Sequence, residues 1–399
     1  MFPNPHDALP LPPRPNLDQY KKLAKDLLKA SHSAAPAALH TWAADWVASL
    51  ARLSSNSAVI LSEVAATQLE KFAREKLSET PTLTSAQFVI ARAHGFESWP
   101  KFAQHLEATA LANSAVNHFE QAAAAIITGD KTTLADLLKN YPDLIRSHST
   151  RRHQATLLHY TAANGIEGYR QKTHANIVEM ARLLLDSGSE VNAVADLYGG
   201  STTLSLVATS VHPERAGVQN ALLQLLLDHG ATIDGPNSPT LLINVCLANG
   251  RRKAAEFLAE RGARIDLEAA AGLGHLDVVK TFFDDPGSGT STGTDHQKQR
   301  ALCWACEYGR NVVVEFLLEQ GVPVQSQAST GQTPFHWAVI GGQKETIALL
   351  LSRGADLEAK NAYGGTALGQ ACWSAAHTDS PGAYLEIADL LKRHGAKSE

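Results

Sequence analysis

Four cysteines in 399 residues are too few to pin a fold together, which excludes a disulfide framework and points to a reducing compartment. No run of residues is long and apolar enough to span a membrane. Met1 to Asn16 hold no basic segment followed by an apolar core, so a secretory signal is not expected and a cytoplasmic location is. The net charge of −5 supplies no general pull toward nucleic acid or anionic lipid. The chain also lacks the His-Glu pair of a metalloprotease, a phosphate-cradling Gly-Lys loop and a dinucleotide-binding glycine fingerprint. No cofactor and no nucleic-acid or membrane partner is expected, and a monomer is.

What is present is an ordinary folded composition. Hydrophobic residues make up 44% and charged residues 19%, enough apolar side chains to rule out global disorder. The length exceeds what one compact core usually holds, so the chain must form several domains or an elongated array.

Residues 1–16 are a proline-rich leader. Pro3, Pro5, Pro10, Pro12, Pro13 and Pro15 keep it extended and out of any helix. Pro10 to Pro15 formally match a ligand of SH3 domains; the plainer reading is a stiff strand lying on the domain that follows. Residues 17–112 read as a helical domain. Asn16 or Asp18 can cap a first helix with Leu17, Tyr20, Leu23, Ala24, Leu27 and Leu28 on one face. A second carries Leu39, Trp42, Trp46, Val47 and Leu50, and a third Val59, Ile60, Val64, Leu69, Phe72 and Leu77. Ser85 can cap another that Gly95 stops, and Ser98 starts one with Trp99, Phe102 and Leu106 on its apolar side. Residues 85–106 thereby share the outline of a DNA-reading helix-turn-helix, although Lys101 is the only base on the second helix and Glu97 and Glu107 are close by. The reading adopted is a helical amino-terminal cap that covers the apolar side of a repeat array, with the DNA reader as the alternative.

The array is announced by residues 333–365. Thr333-Pro334-Phe335-His336-Trp337-Ala338 opens a short helix, Ile347 to Leu351 stripe a second, Gly354 stops it, and an extended hairpin runs to Tyr363-Gly364-Gly365. Glycines at 309 and 321, 342 and 354, and 250 and 262 mark the same two helices elsewhere, and Gly321 to Gly354 is a step of 33 residues. Weaker copies of the opening stand at Thr156 to Thr161, Thr202 to Ser205 and Thr366 to Gly369. This resembles the ankyrin repeat, whose units cannot bury their apolar faces alone and must stack. The resemblance implies an all-α ankyrin-repeat solenoid of helix-turn-helix units with short β-hairpins, about eight of them over residues 115–399, several degenerate. The layout with Tyr20-Lys21-Lys22 and Ile90-Ala91-Arg92 to Ser98-Trp99-Pro100 is also similar to a group of bacterial ankyrin-repeat proteins of unassigned role.

For function, the resemblance implies a non-enzymatic scaffold that binds a protein partner on the face made by hairpin tips and the exposed ends of first helices. Carried over position by position, that face comprises Tyr198, Glu307, Tyr308, Gln327, Ser329, Thr330, Gln332, Ile340, Lys360, Ala362, Tyr363, Trp373 and Ser374. Tyr198, Tyr308, Tyr363 and Trp373 are the expected anchors, since rigid aromatics give large contact area at low entropic cost. His336 and His159 stand where the family uses a histidine to bond the backbone near the Thr start.

Other groups of residues invite chemistry. Cys303-Trp304-Ala305-Cys306 matches a redox or zinc half-site by spacing, but steps of 33 place it inside a packed first helix. Cys246 and Cys372 fall at small-residue positions too, so all are expected to be buried hydrophobes. Gly289 to Gly293 matches a nucleophile elbow by letters alone, in a Gly/Ser/Thr-rich connector with no strand before it. Three inter-helix insertions, Gly165 to Ala175, Thr209 to Gly217 and Ser374 to Tyr384, hold His174, His212 and His377. Stacking separates His377 from the other two by tens of ångströms, at roughly 10 Å per repeat, so no metal site is expected. Two rival functions remain: a DNA-associated regulator using residues 85–106, and an enzyme with acids or histidines converging where the cap meets the first repeats.

Overall fold

A computed structural model of the chain describes residues 4–12, 14–53, 63–78, 81–234, 240–283, 293–327, 331–378 and 381–397. The chain divides into two compact units, Met1–Ile233 and Asp234–Glu399. Both are helical; among the described residues the β-structure is one two-residue ladder, Val194–Ala195 against Ser201–Thr202, and an isolated bridge from His148 to Thr156.

The first unit begins with the helices Leu17–Ser31, Ala38–Leu53, Glu63–Leu77, Leu83–Ala93 and Trp99–Ala110. Asn16 caps the first by accepting from the Asp18 amide at 2.8 Å. The fourth starts earlier than Ser85: Thr82 is its cap, and Ser85 closes a reciprocal capping box from inside the first turn. Tyr20, Leu27, Trp42, Trp46, Leu69, Phe72, Ile90 and Phe102 form its core, each large apolar side chain contributing about 1.5–3 kcal/mol by leaving water. Val64, expected on the apolar face, is exposed; Val59, Ile60 and Pro13 lie outside the described residues.

His94 organises this core. Its ring stacks on Phe102 at 5.3 Å and meets Tyr20 edge-on at 5.2 Å. Its Nδ1–H donates to the Leu9 carbonyl at 2.9 Å, while the Leu9 amide donates to Ala93 at 2.7 Å. The leader is thus tied to the cap, with Ala8, Leu9 and Pro10 buried. Burial pushes the His94 imidazole down to about 4, so it is neutral at physiological pH.

Helix pairs follow in the same unit: Ala115–Thr128 with Lys131–Asn140, Leu157–Tyr160 with Ile177–Asp186, and Thr203–Thr209 with Gln219–Asp228. Gly168–Arg170 forms a single 3-10 turn in the first insertion and Val211–Arg215 a short helix in the second.

The second unit repeats the motif: Leu242–Ala248 with Arg252–Ala259, Leu267–Leu273 with Leu276–Thr281, Asp295–Glu307 with Asn311–Glu319, Pro334–Ile340 with Lys344–Ser352, and Ala367–Ala376 with Gly382–Arg393. The first helices of these pairs pack in succession. Their shared core runs through Leu267, Leu302, Val314, Leu317, Phe335, Ile347, Leu368 and Leu391.

Polar bonds hold successive pairs in register. Thr333 and His336 form a capping box in which the Thr333 amide donates to His336 Nδ1 at 3.3 Å. That fixes the proton on Nε2, which donates across to the Gly365 carbonyl of the next unit at 3.2 Å. His159 repeats the arrangement with Thr156 and, at 3.3 Å, the Ser201 carbonyl. Gln343 Nε2 donates to the Glu307 carbonyl at 3.1 Å, and Thr346 Oγ1 bonds Asn311 Oδ1 at 2.7 Å. Gly341 is required at its position, because a Cβ there would fall on the Glu307 carbonyl.

Candidate partner-binding face

The hairpin tip at 361–365 is built by one side chain. Asn361 Oδ1 accepts from the Tyr363 amide at 2.9 Å and the Gly365 amide at 3.0 Å, while the Asn361 amide donates back to the Gly365 carbonyl at 3.0 Å. Gly364 takes the left-handed conformation, φ +81°, that the turn needs. The result is a rigid tip that leaves Tyr363 81% exposed. Thr366 next caps the helix Ala367–Ala376, which carries Trp373, 59% exposed. The indole stacks on the His377 ring at 4.3 Å, and His377 Nδ1 donates to the Trp373 carbonyl at 2.7 Å. Two large aromatic surfaces are therefore held outward by defined bonds, with exposed Lys360, Ala362 and Cys372 beside them in sequence.

The other expected positions differ in what they present. Gln327 is exposed, Gln332 and Ile340 are half-buried, and Ser329 and Thr330 lie outside the described residues. Ser374 is buried, so it does not present itself on a surface; its Oγ accepts from Gln370 Nε2 at 3.1 Å. Tyr308 is half-buried and its hydroxyl donates inward to the Leu247 carbonyl. Glu307 is half-buried as well, and burial lifts its carboxyl to about 7. Tyr198, in the first unit, is 74% exposed on its own Tyr-Gly-Gly tip, with its hydroxyl donating to Asn164 Oδ1 at 3.3 Å.

Of the cysteines, Cys246, Cys303 and Cys306 are buried and burial pushes the first two thiols up to about 12 and the third well upward. Cys372 is exposed, contrary to its register. Steps of 33 residues map it onto Val339 and Cys306, both buried. Among the described residues, no next first helix covers Cys372 as the helix Ala367–Ala376 covers its predecessor.

The first two helix pairs of the array are joined through charge. Arg151, in the hairpin after the first helix pair, donates to Glu120 Oε1 at 2.5 Å and lies 2.5 Å from Glu167; Arg170 Nη2 donates to Glu120 Oε2 at 2.5 Å. Burial by itself would raise both carboxyls, but the two guanidinium groups outweigh it and hold Glu120 at about 2 and Glu167 far below its usual range. Held as anions, the two acids and their guanidinium partners form a buried ion-pair lattice across the first two helix pairs. Sequence reasoning missed it, since the partners are spread over 51 positions from Glu120 to Arg170. Its one local signal was Glu167 just before the first insertion's 3-10 turn and Arg170 at the end of it.

The helix-turn-helix outline at 85–106 faces inward. Arg92 is 9% exposed, Phe102, His105 and Leu106 are buried, and Lys101 and Lys21 close on Glu97 and Asp18. Lys22 and Lys25 are exposed, so the bases near this outline divide among paired, enclosed and open positions and do not form one set of phosphate contacts. Among the described residues no group of three or more His, Cys, Asp or Glu side chains converges to hold a metal ion, and no helix is long and apolar enough to cross a membrane. The Gly289 to Thr292 part of the elbow-like sequence lies outside the described residues.

A family model for ankyrin repeats matches residues 267–361 and 323–398. Among curated proteins, the ankyrin repeat and KH domain-containing protein mask-1 of Caenorhabditis elegans is 30% identical over 229 residues, 55% of this chain and 8% of its own length. BCL-6 corepressor-like protein 1 of Homo sapiens is 34% identical over 133 residues, 33% of this chain and 7% of its own. The 26S proteasome non-ATPase regulatory subunit 10 of Rattus norvegicus is 41% identical over 61 residues, 15% of this chain and 26% of its own. The chain spans only a small part of each, and these relatives are eukaryotic, so the similarity to bacterial proteins gains nothing from them.

Proposed function

Because this chain is an ankyrin-repeat protein, we propose that it works as a non-enzymatic scaffold whose second unit holds a protein partner against Tyr363 and Trp373. The observation that carries the reading is the exposure of two large rings on bonded, pre-ordered supports. Such rings lose little entropy on binding and dominate interface energetics. Lys360, Ala362 and Gln327 flank them as a polar and small-residue rim, while Ile340 and Glu307, both half-buried, lie at the ends of the preceding first helices. No cofactor takes part. The setting is the cytoplasm, where Cys372 stays reduced, and the chain acts as a monomer.

The test is a measured affinity. The full chain, used as bait in extract of its native host, identifies the partner, and titration of the purified pair gives Kd. Two hot-spot rings at about 2 kcal/mol each predict that Tyr363→Ala with Trp373→Ala weakens binding by roughly 1,000-fold. An unchanged Kd in the double variant would remove this face from the account.

A further inference from the structure

We propose that the cleft between the helix Trp99–Ala110 and residues 148–154 binds a small organic anion, with a phosphate or carboxylate head and a short apolar body. The cleft lies wholly within the first unit and has a volume of about 300 Å³, room for a small metabolite and not for a folded partner. Glu97, Lys101, His148 and Arg152 line it together with Ala108 and Val116, which supply the apolar wall.

Its charges do not balance. Lys101 is closed on Glu97, and Arg151 at the cleft's inner side is committed to Glu120 and Glu167. That leaves Arg152, exposed in the lining; Arg92, 9% exposed, lies behind it and outside the lining. Neither has an ion-pair partner among the described residues, and each lies within electrostatic reach of the other. Glu97 is the carboxylate near both, and Lys101 already holds it. A guanidinium without a counter-charge beside a half-enclosed space, with a second one behind it, is relieved by an oxyanion, which Arg152 binds through paired N–H donors.

The segment that closes the cleft is also held in place. The Arg152 amide donates to the Gly95 carbonyl at 3.0 Å, His148 Nδ1 donates to the Gln154 carbonyl at 2.8 Å, and Thr150 Oγ1 meets His105 Nδ1 at 2.7 Å. Gln154 itself takes φ +49°, a left-handed conformation that costs a non-glycine residue energy and is often found at ligand clamps.

Isothermal titration of the full chain with phenyl phosphate, benzoate and neutral benzamide tests this. At least one anion should bind, and the stronger identifies the head group. Benzamide should bind at least about tenfold more weakly, and raising salt from ~0.05 to ~0.5 M should weaken the anion further. Arg152→Gln should lower anion affinity about tenfold, the equivalent of about 1.4 kcal/mol, with the unfolding midpoint of the free protein unchanged because the side chain is exposed. Should that variant fold poorly, Lys101→Gln, which frees Glu97 to oppose the ligand, should also weaken binding. Absence of binding by both anions, equal binding of benzamide, or full affinity in a folded Arg152→Gln protein would each overturn the proposal.

Discussion

Arg151 Nε lies 2.5 Å from Glu167 Oε1, and the two side chains are 2% and 1% exposed. The pair joins the hairpin after the first helix pair to the insertion in the second. Removing one partner leaves the other buried without its counter-charge. Glu167→Gln is expected to destabilise the first unit by about 3–5 kcal/mol, whereas replacing both by apolar residues of similar size should cost much less. Native-state hydrogen exchange over residues 115–186 reads the difference; equal protection in Glu167→Gln and the parent chain would show that the lattice carries no stability.

Acid should act on the same unit in two stages. His94 and His105 are pushed by burial from 6.5 down to about 4 and about 3, so the unfolded chain takes up protons first as pH falls below 6.5. Glu120 titrates from 4.5 in the unfolded chain to about 2 in the folded one, so its contribution is present above pH 4.5 and is lost as pH falls toward 2. Every one of these depressed values has the same sign. Stability of the first unit should therefore be level above about pH 7 and decline continuously below it, most steeply under pH 5, in urea titrations at stepped pH.

Much of this architecture could be read from residues because it repeats. Thr333, His336, the Leu stripe and Gly354 each serve one local purpose, and the same purpose recurs in the neighbouring units, so pattern and structure coincide. The leader's docking was legible only as a stiff strand; that it ends on His94 is a bond between residues 85 positions apart. The Glu120–Arg151–Glu167–Arg170 lattice is unreadable for a similar reason, since no periodicity links a helix, a hairpin and an insertion. At the candidate face, Tyr363 stood out through its Asn-Ala-Tyr-Gly-Gly turn. Ser374 and Cys372 were misplaced because a shared register does not guarantee a shared neighbour.

Glu307 should behave oppositely to the buried acids of the first unit. Burial raises its folded value from 4.5 to about 7, so stability is complete below pH 4.5 and is lost as pH rises through 7. Glu307→Gln is expected to stabilise the second unit by about 1–2 kcal/mol at pH 8, less than the full shift because solvent still reaches the group, and by almost nothing at pH 4. A gain that is the same at both pH values would contradict the burial argument.

Thiol reactivity should single out Cys372. Cys246, Cys303 and Cys306 are enclosed and burial holds their protons on, while Cys372 is exposed. In the native protein a disulfide reagent should consume a single equivalent quickly, and Cys372→Ser should abolish that phase. A second fast equivalent would mean that the Cys303–Cys306 helix opens far more readily than its packing allows.

The measurement that bears most directly on the central claim is site-specific photo-crosslinking. A benzophenone side chain placed at position 363 or 373 should form an adduct with the partner, and one placed at Leu385, 55% exposed on the second helix of the same pair, should not. Adducts of equal yield from 385, or from 385 alone, would contradict recognition through hairpin tips and first helices.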